Sequence, residues 1–157
     1  FQRMFAGDYI EHQELNLTDD PVRVIQIWYV ADRKWQGLEP HYQQLENGAL
    51  PARQVEDATV YSLIGDDSPM LQHMRGRLTA AALNADGRST IEPPRDGESL
   101  FLYVTDGEGY VTHDGNTRGV GQYDVILARP DAEPAVLTAA EGSSLKWLSF
   151  YLPEFLS

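Results

Sequence analysis

Four Asp-Gly dipeptides, Asp86-Gly87, Asp96-Gly97, Asp106-Gly107 and Asp114-Gly115, recur about every ten residues through the second half of the chain, the interval of hairpins in an all-β protein. Asp and Gly enter the left-handed backbone region at low cost, and tight hairpin turns need that region. The spacing therefore predicts short strands joined by hairpins. Segments suited to them are 59–64, 70–75, 78–83, 100–105, 109–113, 124–127, 135–139 and 145–152, about eight strands in roughly a hundred residues. No long helical period competes with them. Closing such a sheet removes its unpaired edges, so the predicted fold class is all-β, a jelly-roll or closed barrel.

Charge narrows the partners. Lys and Arg number 12 against 24 Asp and Glu, a net charge of −12. That balance repels phosphate backbones and anionic headgroups, so neither nucleic acid nor a membrane is an expected partner. The absence of cysteine removes disulfide scaffolds, thiolate zinc sites and Cys nucleophiles, and agrees with a cytoplasmic setting. No apolar run approaches the roughly 18 residues needed to cross a bilayer, and no secretory leader opens the sequence. Phe1-Gln2 matches the end of a common protease-cleavable tag and Met4 reads as a native start, so residues 1–3 are set aside as a tag remnant.

The first forty residues follow a different pattern. Val22 to Val30 is apolar at nearly every position instead of alternating, and a strand of that kind wants cover on both faces. A small barrel covers one face only. The run therefore predicts that N-terminal strands meet a second copy of the chain, a homodimer with Val24, Ile25, Ile27 and Trp28 at its interface. Residues 31–50 read as an ordered connector, with Gly37 and Pro40 as turn residues and Trp35, Tyr42 and Leu45 as packing points.

Four histidines, His12, His41, His73 and His113, form no HxH or HxxxH pair. In an extended segment His12 and Glu14 project to the same face, where an imidazole and a carboxylate could reach one divalent ion. Two donors do not hold a catalytic metal, which needs three or more, so a solvated polar strand end is the plainer reading. His73 reads as a hydrogen-bonded strand residue, His113 as exposed beside its turn, and His41 as a packing or capping residue. Asp106-Gly107-Glu108-Gly109 lacks the strand, glycine loop and helix order of a nucleotide site and reads as a hairpin turn. No Gly-x-Ser-x-Gly nucleophile elbow is present.

Three ordered stretches carry a family resemblance: residues 6–14 (Ala-Gly-Asp-Tyr-Ile-Glu-His-Gln-Glu), residues 24–28 (Val-Ile-Gln-Ile-Trp) and residues 38–44 (Leu-Glu-Pro-His-Tyr-Gln-Gln). Together they resemble pirin-like proteins, which are bicupins with two β-barrels in one chain. Residues 102–104 leading to Gly107, and 123–127 leading to Pro130, are similar to a second cupin barrel. The resemblance implies remnant strands of a first barrel plus a connector over 4–50, and a cupin barrel over 51–157. In that family the first barrel binds iron or another divalent metal through three histidines and a glutamate, and some members show quercetin 2,3-dioxygenase-like activity. His12 and Glu14 match the third histidine and the glutamate; the other two histidines have no counterpart here.

Aligned on Gly107, the cupin ligand positions of the second barrel fall on Leu100, on 93–96 and on 133–134, none of which is a histidine. That barrel is expected to be free of metal. In the cupin register Leu100, Leu102 and Val104 point into the lumen, where they are packed core or line a site for a small apolar ligand; small barrels usually fill their interiors. Two functions follow as expectations. One is a non-catalytic single-barrel module that associates with itself, a partner or a small ligand, without a cofactor. The other is a metal-dependent dioxygenase whose His12 and Glu14 half-site is completed by another subunit or chain, with iron or another divalent metal.

Overall fold

The computed structural model describes residues 1–46, 48–130 and 132–153; the last four residues of the expected barrel lie outside it. Its strands are β1 (Gln2–Phe5), β2 (His41–Gln44), β3 (Ala52–Val55), β4 (Ala58–Ile64), β5 (Arg77–Leu83), β6 (Arg88–Thr90), β7 (Glu98–His113), β8 (Asn116–Gly121), β9 (Val125–Ala128), β10 (Val136–Ala139) and β11 (Leu145–Pro153). One short 3-10 turn spans Arg33–Trp35. The architecture is all-β, a nearly closed jelly-roll barrel built around β7.

β7 belongs to both layers. Its first half pairs with β11 on one side and β9 on the other, and its second half pairs with β10 and β8. One layer runs β3-β4-β5-β11-β7 and the other β7-β10-β6, so this strand is where the sheet folds over. The bend falls at Asp106-Gly107. The expected turn there is instead a bulge, because the register with β11 skips Thr105 and the strand continues. Gly107 sits at φ +82°, and a Cβ on it would lie 1.8 Å from the Ser144 carbonyl oxygen. Only glycine permits that backbone approach. Asp114-Gly115 is a hairpin turn as expected, with φ of +47° and +70° between the paired residues His113 and Asn116.

Strict alternation fills the space between the layers. On β5 and β11 the residues Leu83, Ala81, Leu145 and Trp147 point inward and join Leu100, Leu102, Val104 and Leu137 in one core. The outer face of the same sheet carries a second cluster, Leu63, Ile64, Leu78 and Phe150. Ile27, Tyr29 and Leu50, from before the barrel, pack over that cluster together with Met74 of the β4–β5 loop.

Three segments depart from expectation. Val22–Val30 has no regular secondary structure, because a strand needs a neighbour to take its backbone hydrogen bonds and no described segment runs beside it. The N-terminal strands are instead β1 and β2, antiparallel, with Gln2 opposite Gln44 and Phe5 opposite His41. Residues 70–75 form a loop: the Ser68 hydroxyl accepts from the Met70 amide and the Gln72 side chain donates to the Gly76 carbonyl, and these local bonds replace a ladder. In the connector Trp35 packs edge-on against His73 at 5.0 Å, whereas Tyr42 is half exposed and bonds Gln2 and Gln44. No helix among the described residues is long and apolar enough to cross a membrane.

Candidate functional site

Cross-strand pairs on the inner face of β5 and β11 grade from charged to greasy. Arg77 stands opposite Tyr151, Thr79 opposite Ser149, Ala81 opposite Trp147 and Leu83 opposite Leu145. The first pair lies at the barrel rim and the last in the sealed core, where Leu83 and Leu145 are buried. Between them the small side chains Thr79, Ala81 and Ser149 leave room. A cavity of about 300 Å³ occupies it, walled by Val55, Val60, Ala81, Ile91, Pro93 and Trp147. Four hydroxyl residues, Thr79, Ser89, Thr90 and Ser149, also face it, with Arg53 and Glu92 at the mouth.

The rim is an ion cluster. Arg77, with a side chain 10% exposed, reaches Glu92 at 2.5 Å and Glu98 at 3.2 Å. Burial pulls its pKa down, yet the hydrogen bond that it donates to Glu98 and the charges of Glu92 and Glu98 outweigh that, and the net shift is upward. Glu92 also pairs with Arg53 at 2.6 Å. The Tyr151 hydroxyl donates to the Glu92 carbonyl at 2.9 Å, and burial raises its pKa to about 12. Two cations therefore meet two anions, leaving no charge unmatched.

Leu100, Leu102 and Val104 point inward but lie in the packed core, away from the cavity lining. His12 and Glu14 lie in exposed, extended chain, where the Glu14 carboxylate accepts from the Gln2 side chain. No third His, Asp or Glu joins them, and among the described residues no three such groups gather. His73 stacks on Phe5 and meets the Arg3 guanidinium, which also reaches His41 at 3.4 Å. The cavity itself offers hydroxyls, one guanidinium and a single carboxylate, Glu92, already paired with Arg53 and Arg77, a set poorly matched to a divalent transition ion. The residues present thus do not fit the iron site that the family resemblance implies. Of the segment expected at an interface, Ile27 turns onto the chain's own barrel, while Val24, Ile25 and Trp28 are exposed.

Among solved structures, the Cupin_2 domain of an XRE family transcriptional regulator from Enterobacter cloacae superposes with a TM-score of 0.51 at 16% identity, covering 62% of this chain and 98% of that one. The rat (Rattus norvegicus) pirin is 26% identical over 116 residues, 72% of this chain and 40% of that protein. The fold is a cupin barrel, and the sequence is similar to those of pirins. A pirin-like protein of Solanum lycopersicum gives 24% over 129 residues, 80% of this chain and 44% of its own length. The chain thus spans less than half the length of these relatives. No family profile matches it.

The ion cluster and the cavity were not among the residues singled out from sequence. A signal existed: Arg77 shares a strand face with Thr79, Ala81 and Leu83, so it puts a guanidinium on the core side of the sheet.

Proposed function

We propose that this chain is a non-catalytic, pirin-like cupin-barrel module that associates with a second copy of itself through residues 22–30. The observation that carries the reading is the split personality of that segment. Ile27 and Tyr29 seat on the barrel's outer cluster. Their neighbours turn away: Val24 is 64% exposed, Trp28 79% and Val30 96%. Alternation of this kind is a strand with one face covered, and its open face is apolar. Its backbone joins no ladder with any described strand, so a twin segment laid alongside would supply both ladder bonds and cover. Burying Trp28 alone is worth about 2–3 kcal/mol by apolar area. The lack of cysteine supports a cytoplasmic place of work.

Sedimentation velocity tests this. The wild-type chain is expected to sediment as a dimer at tens of micromolar, and Trp28→Glu as a folded monomer with an unchanged far-ultraviolet spectrum. A wild-type monomer throughout that concentration range would contradict the reading.

A further inference from the structure

We propose that the barrel cavity between β4, β5 and β11 is a binding site for a small, neutral, planar molecule of about two fused rings carrying one hydrogen-bonding group. Size sets the first limit. An engineered apolar cavity of about 150 Å³ accepts benzene, and this one is about 300 Å³. Natural small-molecule pockets begin at about that volume, with apolar walls and a few placed polar groups. Trp147, 4% exposed, gives a flat aromatic wall, and Val60, Ala81 and Ile91 complete the apolar lining.

Polarity sets the second limit. Thr79 and Ser149 stand directly opposite each other in the β5–β11 register and place two hydroxyls side by side on the lumen wall. Hydroxyls donate and accept, so they suit a phenol, an amide or a ring N–H.

Charge sets the third. Arg77 is held by Glu92 and Glu98, and Arg53 by Glu92, so the mouth has neither a spare cation for a carboxylate nor a spare anion for an ammonium. A charged ligand would enter unpaired, and the chain's net charge of −12 adds a repulsion against anions. The cavity is separate from the proposed dimer face, since Ile27 and Tyr29 seat their segment on the outer cluster, across the sheet from the lumen.

The test uses 2-naphthol as the neutral probe, 2-naphthoate as its anionic counterpart, and the three tryptophan indole N–H resonances of the full chain. Saturable shifts of the Trp147 resonance with 2-naphthol are expected, with Trp28 and Trp35 unmoved and 2-naphthoate about tenfold weaker or worse, since its charge goes in unpaired. Ala81→Leu, which fills the cavity, abolishes the shift. If that variant loses its dispersed spectrum, Val60→Leu fills the same space from β4 and serves instead. The proposal is overturned by no response at millimolar 2-naphthol, by shifts confined to Trp28, by naphthoate binding as tightly as naphthol, or by binding that survives in a folded cavity-filled variant.

Discussion

The Arg77 guanidinium lies 3.6 Å above the centre of the Tyr151 ring. These residues are opposite partners on β5 and β11, so the cation–π contact is fixed by strand register. It also ties the two strands to Glu92, which receives an ion pair from Arg77 and a hydroxyl from Tyr151. The rim of the barrel is thus held by three different kinds of contact, two of them made by one guanidinium.

Arg77→Met should therefore be costly. Removing one partner of a buried pair leaves the other charged and unmatched, typically about 3–5 kcal/mol; here that partner is Glu98, while Glu92 keeps Arg53, which argues for about 2–4. Urea denaturation measures the loss. Arg77→Lys keeps the charge but not the planar fork, and should fall between that variant and wild type.

Gly107 and Gly115 separate two uses of the same dipeptide. Both have positive φ, but a Cβ at Gly115 meets open space while one at Gly107 collides with the Ser144 carbonyl. Gly115→Ala is expected to cost about 1–2 kcal/mol, the penalty of the left-handed conformation. Gly107→Ala adds a backbone clash and should cost at least twice that, read from the same denaturation curves.

Tyr29 carries a buried hydroxyl with no hydrogen-bond partner, and burial raises its pKa to about 12. Tyr29→Phe removes an unsatisfied group and keeps the ring contact with Phe150, so stability should hold or rise by up to about 1 kcal/mol. The sign of the pH effect follows from the raised values of Tyr29 and Tyr151. Their contribution is intact below the ordinary tyrosine pKa of about 10 and is lost as pH climbs from there through about 12. Thermal midpoints should accordingly drop across that alkaline window, and less steeply in Tyr29→Phe.

His12 and Glu14 stand two residues apart on exposed chain, and among the described residues no third donor joins them. Ferrous iron or manganese added at stoichiometric concentration is expected to leave the thermal midpoint unmoved, for wild type and His12→Ala alike. A stabilisation that His12→Ala removes would favour the dioxygenase reading instead.

The barrel was legible because its signals are local. Asp114-Gly115 marks a turn that both φ values confirm, and the inward set Leu100, Leu102 and Val104 follows from a period of two. Asp106-Gly107 misleads because one pair of residues suits a turn and a bulge equally, and which one forms depends on β11, some forty residues away. The run Val22–Val30 shows that apolarity demands cover without saying whether a ladder comes with it. The cavity was hidden for a different reason. Its members come from β3, β4, β5, β6 and the residues just after it, and β11, so the room left by Thr79, Ala81 and Ser149 appears only when the strands are side by side.

Concentration-dependent footprinting of Trp28 tests the account most directly. Mass spectrometry after brief hydroxyl-radical exposure reads each tryptophan separately, with buried Trp147 as the internal control. Trp28 labelling should fall at least several-fold between nanomolar and tens of micromolar protein while Trp147 stays low throughout. Equal labelling of Trp28 at every concentration would show that nothing covers the open face, and the self-association at the centre of this account would be wrong.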